Sequence, residues 1–488
     1  MAVSPFFGIE IGLRALQAQK LAMNVLSHNV ANANTPGYSR QQVNLTASDP
    51  YTVPGFNRGI GAGQVGSGVE IVSITRARDN SLTRQVRDNV NLFQEYETRE
   101  SFYQRIEAVF NEPGATGLSQ LMNDFFNAWR ELATTPESNA ARALVKQKGQ
   151  SLSDYFNRID NDLTAMQKDV DNNIRAVSTD INTLLRQLGE TNVLLRGVVA
   201  QGDNPNDLLD RRDSLLEELS GYVDIQVVEQ PDLTVNVYVS GRNLVQADIV
   251  REIVVQNNAS NNFYAQLKVE GEETGADLVV NGGELKALLD TRDDTTIGIE
   301  GYLNSIDQLA YNLAAGINTI HGAGYGLDGV NGRDFFIDVT AFTVAGTAGR
   351  LSLSTNITDP TNGLRNVAAC GLLDPVTGLP MVPGDGSNAL AIAQLQDDTA
   401  IMSGLTVHDF YNNTISGLGI YSQEETKNRE NQEFLLNQLR NLEDSTSGVN
   451  LDEEAAKMIT FENAYNAAAQ VIRIMDETIQ TLIELLGS

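Results

Sequence analysis

The sequence predicts a mainly α protein with β insertions, in which both chain ends build an elongated helical coiled-coil stalk that carries inserted β-rich domains. Three observations lead there. Each end of the chain carries an apolar stripe at steps of three or four residues, the middle holds a very long helical periodicity, and two strand-like stretches interrupt the helices.

At the N-terminal end, Ile9, Leu13, Leu16, Met23, Leu26 and Val30 make one stripe, with only Lys20 interrupting it. The following LSHNVANANTPGYSRQQVNL reads as a helix stop and a rigid corner. Asparagine tolerates the left-handed geometry that ends a helix, and Pro36 disfavours helical geometry at Thr35. Pro36 and Gly37 then suit the central positions of a type II turn. At the other end, Leu451, Ala455, Met458, Phe461, Tyr465, Ala468, Ile472, Met475, Ile479, Leu482 and Leu486 are all apolar, with a mean step close to 3.5. Ser447 and Asn450 are the candidate caps, and Asp452, Glu453 and Glu454 suit the positive end of the helix dipole. Two oily seams, each needing a partner, predict that the chain ends pair.

Between the ends, 82–110 is helical and stops at Pro113-Gly114; a short helix carries Phe125 and Trp129; a long one spans 137–199, with Gly149 and Gly189 as candidate bends. Further helices are expected over 284–320 and 388–442. Alternation of Leu233, Val235, Val237 and Val239 predicts strands, and DFFIDVTAFTVAGTAGRLSLS predicts more. The expected organisation is a terminal coiled-coil domain from 1–50 and 448–488, a helical stalk from 51–221, 284–332 and 388–447, a small β-rich module at 222–283 and an outer β-rich insertion at 333–387.

With 34 basic and 63 acidic residues the net charge is −29, which argues against nucleic acid or an anionic membrane as partner. No apolar run approaches the length of a membrane span, and MAVSPFFGIEIGLRAL lacks the pattern of a standard secretory signal. Cys370 is the only cysteine and is expected to be a buried small hydrophobe. A G-x-G-x-x-G at Gly61, Gly63 and Gly66 lacks the strand before and helix after that a dinucleotide site needs. His28, His321 and His408 are scattered, and Asp293-Asp294 and Asp397-Asp398 read as solvated surface in so acidic a chain. No active site, metal or cofactor is expected.

LSHNVANANTPGYSRQ resembles the N-terminal signature of the bacterial flagellar axial proteins, and SGVNLDEEAAKMITFENAYNAAAQVIRIMDETIQTLIELL is similar to their C-terminal one. NPNDLLDRRDSLLEELSGYVDIQVVEQ, GVEIVSITRARDNSLTRQ and GGELKALLDTRDDTTIGIEGYLNSIDQLAYNLAAGINTIHGAGYGLDG resemble the hook-associated protein 1 branch of that family. The resemblance implies a secreted structural subunit of the hook–filament junction, with terminal helices forming an inner tube layer. Its implied partners are further copies of itself, the hook protein, a second junction protein and an export chaperone that takes the C-terminal helix. On the combined reading the assembly interface is Leu13, Leu16, Met23, Leu451, Met458, Tyr465, Ile472, Ile479, Leu482 and Leu486. Tyr38 and Arg40, just past the Pro36-Gly37 turn, are expected to touch a neighbouring subunit. Within the family the alternative is a hook or distal-rod protein. An exterior peptide or glycan hydrolase is a second hypothesis that no motif supports.

Overall fold

The computed structural model describes residues 6–50, 66–111, 117–272, 274–377, 379–381 and 384–487, the side chain of Leu486 excepted. Gly61 and Gly63 of the glycine motif and the Pro113-Gly114 stop lie outside the described residues. Helix α1 (Phe7–Ala31) leads through the Pro36 corner into an antiparallel ribbon of β1 (Gln41–Ala47) and β2 (Val69–Arg76). Then come α2 (Asn80–Phe110), α3 (Leu118–Thr134), α4 (Asn139–Val199) and α5 (Asn206–Tyr222). A four-stranded antiparallel sheet follows in the order β3 (Gln226–Glu229), β4 (Val235–Val239), β5 (Arg242–Gln246), β6 (Ile249–Val250), with a hairpin of β7 (Ile253–Asn258) and β8 (Tyr264–Val269). The rest is helical: α6 (Gly283–Asp293), α7 (Ile299–Ala323), the one-turn α8 (Thr355–Thr358) and α9 (Gly363–Asn366), α10 (Ser387–Gln394), α11 (Val407–Ser447) and α12 (Leu451–Gly487).

Helix α4 is the spine. Ser138 caps it by accepting from Ala141 N, and its 61 residues span about 90 Å. Leu152, Ile159, Leu163, Val170, Ile174, Ile181, Leu185 and Leu188 are fully buried in one core shared with α3, α5, α6, α7 and the sheet. The two candidate bends in α4 instead mark close contacts. A Cβ on Gly149 would sit 2.7 Å from the Phe335 ring, and one on Gly189 would sit 2.6 Å from Val250. Two carboxamides fasten the strands to the spine: Asn192 pairs with the backbone of Val235, and Asn182 with that of Ile253.

Three expectations need correction. The helix expected over 284–320 is two, because the Asp294 carboxylate accepts from Thr296 N and Ile297 N and forms an Asx turn between α6 and α7. The helix expected over 388–442 also divides. The second piece, α11, starts at the reciprocal cap of Thr406 and Asp409 and runs to Ser447. The segment 333–387 is not β-rich. Among its described residues there are isolated bridges, Phe336 to Leu353 and Leu373 to Pro380, but no strand.

Nor does 333–370 stand outside the stalk. Phe335, Phe336, Val339, Leu351, Leu353, Ile357 and Val367 are buried in the shared core, and the Phe335 ring meets Trp129 at 5.3 Å and Phe125 at 5.8 Å. Arg142, 1% exposed, donates to the carbonyls of Leu364 and Val367, and burial lowers its pKa to about 10. His321 donates from Nδ1 to Arg333 O and accepts at Nε2 from Ala368 N. Burial lowers its pKa to about 4, which keeps the ring neutral and this pairing intact. The apolar pattern of DFFIDV therefore marks core contacts with α3 and α4. Cys370 is buried.

Phe335→Ala is expected to destabilise the stalk by about 3–5 kcal/mol, read as an earlier urea midpoint for the helical signal. An unchanged midpoint would show that 333–370 folds apart from the spine.

Candidate functional site

The two chain ends meet. α1 packs along α12, but its buried residues are Gly12, Ala18, Ala22, Val25, Leu26 and Asn29, of which only Leu26 belongs to the predicted stripe. A Cβ on Gly8 would lie 2.9 Å from the Met475 thioether, and one on Gly12 would lie 2.6 Å from Ile472 Cγ1. The backbones approach so closely that only small residues fit between them. The seam is thus rotated from the predicted one. Leu13 is 48% exposed and Val30 40%, while Leu16 and Met23 are half-buried at its edge. On α12, Met458, Tyr465, Ile472 and Ile479 are half-buried along the seam. Leu451 and Leu482 are exposed, and the side chain of Leu486 lies outside the described residues. The stripe misled at Leu13 and Val30 because bulk marks burial in general, whereas where the two helices approach most closely the contact falls on Gly8 and Gly12.

The pair is keyed at its root by Asn29, which is fully buried. Its Nδ2 donates to Gln41 O and to Glu454 Oε2, each at 2.9 Å. Its Oδ1 accepts from Gln41 N at 2.9 Å and from the Tyr38 hydroxyl at 2.7 Å. A carboxamide has two donors and two acceptor lone pairs, and all four are used. One side chain therefore ties α1 to the corner, to β1 and to α12. The Glu454 carboxylate is itself buried, with its other oxygen on Lys457 Nζ at 2.8 Å. Asn450 caps α12 by accepting from Asp452 N and Glu453 N.

The corner sets this geometry. Tyr38 N donates to Thr35 O at 3.2 Å, closing a turn in which Gly37 has φ of 75°, a region that disfavours side chains. Past it, Ser39 N donates to Asp210 Oδ2 at 3.0 Å, and Arg40 N donates to Ser447 O at 2.8 Å. Tyr38 and Arg40 thus make contacts within their own chain. Tyr38 sits edge-on to His28, and the Arg40 guanidinium lies 3.5 Å from Glu453. Burial, with Asp207, Asp210 and Glu454 nearby, raises the Tyr38 pKa and keeps its hydroxyl a donor.

Beneath the corner lies a buried ionic node that joins the ribbon, α5 and α11. Arg76 NH1 bridges Asp210 at 2.7 Å and Asp213 at 3.0 Å. Arg78 reaches Asp213, Ser39 Oγ and Glu443, and Arg212 grips Asp213 at 2.8 Å. Burial alone would raise the Asp213 pKa, but Arg212, Arg76 and Arg78 outweigh it and hold the carboxyl below its usual range. Its three guanidiniums face three carboxylates, so none of these named charges is left uncompensated. Sequence reasoning missed Asn29, Glu454 and this node. The available signal was charged residues, Asp210 and Asp213, recurring at helical spacing on a buried face.

The comparisons with known proteins follow the same division. A model of the flagellar hook-associated protein FlgK helical domain matches residues 103–336. A flagella basal body rod protein model matches 9–38, and a flagellar basal body rod FlgEFG protein C-terminal model matches 444–485. Flagellar hook-associated protein 1 of Bacillus subtilis (strain 168) is 31% identical, covering 99% of both chains. The chain belongs to the flagellar hook-associated protein 1 family. The Escherichia coli (strain K12) member is 26% identical, covering 98% of this chain and 99% of its own. The flagellar hook junction protein FlgK from Burkholderia pseudomallei shares the fold, with TM-score 0.60 and 15% identity, covering 74% of this chain and all of that one. The two rod-type matches fall on the terminal pair and its corner, and the hook-associated match on the spine.

Asn29→Ala would leave the Gln41 amide and the Glu454 carboxylate buried without their partner, at about 1–3 kcal/mol for each. Urea unfolding is expected to show the loss, and hydrogen exchange should quicken at Gln41 and in the first turns of α12. A change below about 0.5 kcal/mol would remove Asn29 from its keying role.

Proposed function

We propose that this chain is a non-enzymatic structural subunit of the bacterial flagellum that joins hook to filament, exported and then assembled through its terminal helices. The observation that carries this is the outward surface of α12. Its inner face is closed by α1, yet Ile459, Val471, Ile474, Leu482, Ile483 and Leu485 stay exposed, Leu485 at 72%. So many large apolar side chains exposed on one helix need covering, and neighbouring subunits in a tubular polymer would cover them. The same edge offers an amphipathic helix to an export chaperone before assembly. We assign the terminal pair to the inner layer of the tube and the helical and strand-bearing middle to its outer layer, with the hook protein and a second junction protein as axial neighbours. The hook or distal-rod alternative is less well supported, because the rod-type matches are confined to the two ends whereas the hook-associated match covers the middle.

Labelled protein on isolated flagella should mark a single band between hook and filament; label along the hook or rod would overturn the placement. Ile474→Asp combined with Leu482→Asp should leave the helical content of the purified chain intact while abolishing its incorporation. Normal incorporation of that variant would show that the α12 edge is not the assembly surface.

A further inference from the structure

Helix α11 is held differently from the other stalk helices. Its lower half packs on α2 through a small separate cluster, Val86, Val90 and Leu436, flanked by Phe93 and Leu439. Between that cluster and the point where Leu418 and Tyr411 join the main core, the contact is largely ionic. Arg99 of α2 takes Glu95 at 2.6 Å, Asp290 of α6 at 2.7 Å and Glu425 of α11 at 3.7 Å, and Lys286 of α6 also holds Asp290. Three carboxylates thus share two cations, all largely shielded from solvent. Glu425 is the odd one: its contact to Arg99 is the longest, and its Oε2 is buried with no hydrogen-bond partner among the described residues. Around it, α2 adds Tyr103, which stacks on Tyr421 of α11 with ring centroids 6.4 Å apart. Glu424 of α11 adds a further negative charge, as does Asp294 beyond α6, while Tyr103 is close enough to Tyr302 of α7 to influence its ionisation. The next ion pair along, Arg429 with Glu100 at 2.6 Å, is complete in itself.

We propose that a proton on Glu425 is the latch that seats α11 on α2, so that the stalk grips α11 while that proton is held and loosens it as pH rises. One proton on Glu425 brings the cluster of three carboxylates and two cations to neutrality and removes the charge from an oxygen that is buried without a hydrogen-bond donor. Burial first, then Glu424 and Glu95, raise the Glu425 pKa against the pull of Arg99, and burial raises that of Glu95 as well. The sign follows. A carboxyl whose folded pKa is raised stabilises most below its unfolded value, about 4.3 for Glu, and the contribution is lost as pH rises through the folded value. Glu425 is separated from the terminal pair by the Leu436 cluster, while the far end of the same helix, Ser447, accepts from Arg40 N just before α12 begins at Leu451.

Hydrogen exchange on the full-length chain, corrected for intrinsic rates, tests this at several pH values between 5 and 9. Protection of α11 amides around 420–430, relative to α4 amides around 159–185, should fall by about tenfold for each pKa unit that the Glu425 shift represents. Glu425→Gln carries the hydrogen permanently and should hold that ratio level across the range, with α4 protection reporting an intact stalk. A constant ratio in the unmodified chain, or a fall that persists in Glu425→Gln, would overturn the latch.

Discussion

The whole architecture depends on the meeting of the two chain ends, and that meeting is set by close packing against Gly8 and Gly12 and by the four hydrogen bonds of Asn29. A helix of the length of α1 is marginal in water by itself and takes its stability from a packed face. Small residues let the backbones approach, so dispersion contacts are dense for the area buried. Asn29 then fixes register. A slip of α12 by one residue would withdraw the Glu454 carboxylate and leave a buried amide unpaired, so only one alignment is well satisfied. Close packing supplies attraction without much specificity, and the carboxamide supplies specificity without much attraction.

The pair is carried by the ionic node below it. Arg76 and Arg78 leave the ribbon, Asp210 and Asp213 come from α5 and Glu443 from α11, so one buried cluster reads the position of three elements. Such a cluster adds little net stability over an apolar core of the same volume, but a misplaced element leaves a charge uncompensated. The direction of the terminal pair relative to the spine is thereby defined, which a subunit that must repeat in a tube requires. The spine relies more on apolar packing: Leu, Ile and Val dominate the buried face of α4, which holds the sheet, the Phe335 segment and α3 in one core, while Arg142, Asp171 and Asn192 add buried polar ties to neighbouring elements.

Much of this was legible in the sequence. The period of α4, the strands around Val235–Val239 and the stop at Pro36 follow from local rules, because apolar spacing and turn chemistry act over a few residues. What was not legible depended on contacts made far along the chain. Leu13 and Val30 were placed in the seam by their bulk, but the partner helix comes so close that Gly8 and Gly12 take the contact and Leu13 and Val30 turn outward. Phe335 and Phe336 looked like strand residues because a run of apolar and β-branched residues does not reveal whether it pairs with another strand or fills a gap opened by Gly149. Asp294, which breaks a helix, was read as surface charge since its Asx turn leaves no period. In the candidate site the corner was visible, but Asn29 was not, because its four hydrogen bonds join Tyr38 and Gln41 past the corner to Glu454 at the far end of the chain.

The most direct measurement of whether the ends pair within one subunit is a disulfide between Gly8→Cys and Met475→Cys. A Cβ at residue 8 would lie 3.1 Å from Met475 Cγ, where the new sulfur would sit, a separation suited to a bond between the two sulfurs. The native Cys370 is buried and far along the chain from both. Oxidation of assembled flagella carrying the double variant should give a crosslink within single chains, seen as a faster-migrating monomer under denaturing, non-reducing conditions. Crosslinked dimers and ladders, with no internal bond, would show that α1 packs on a neighbour's α12 and would contradict the pairing on which the rest is built.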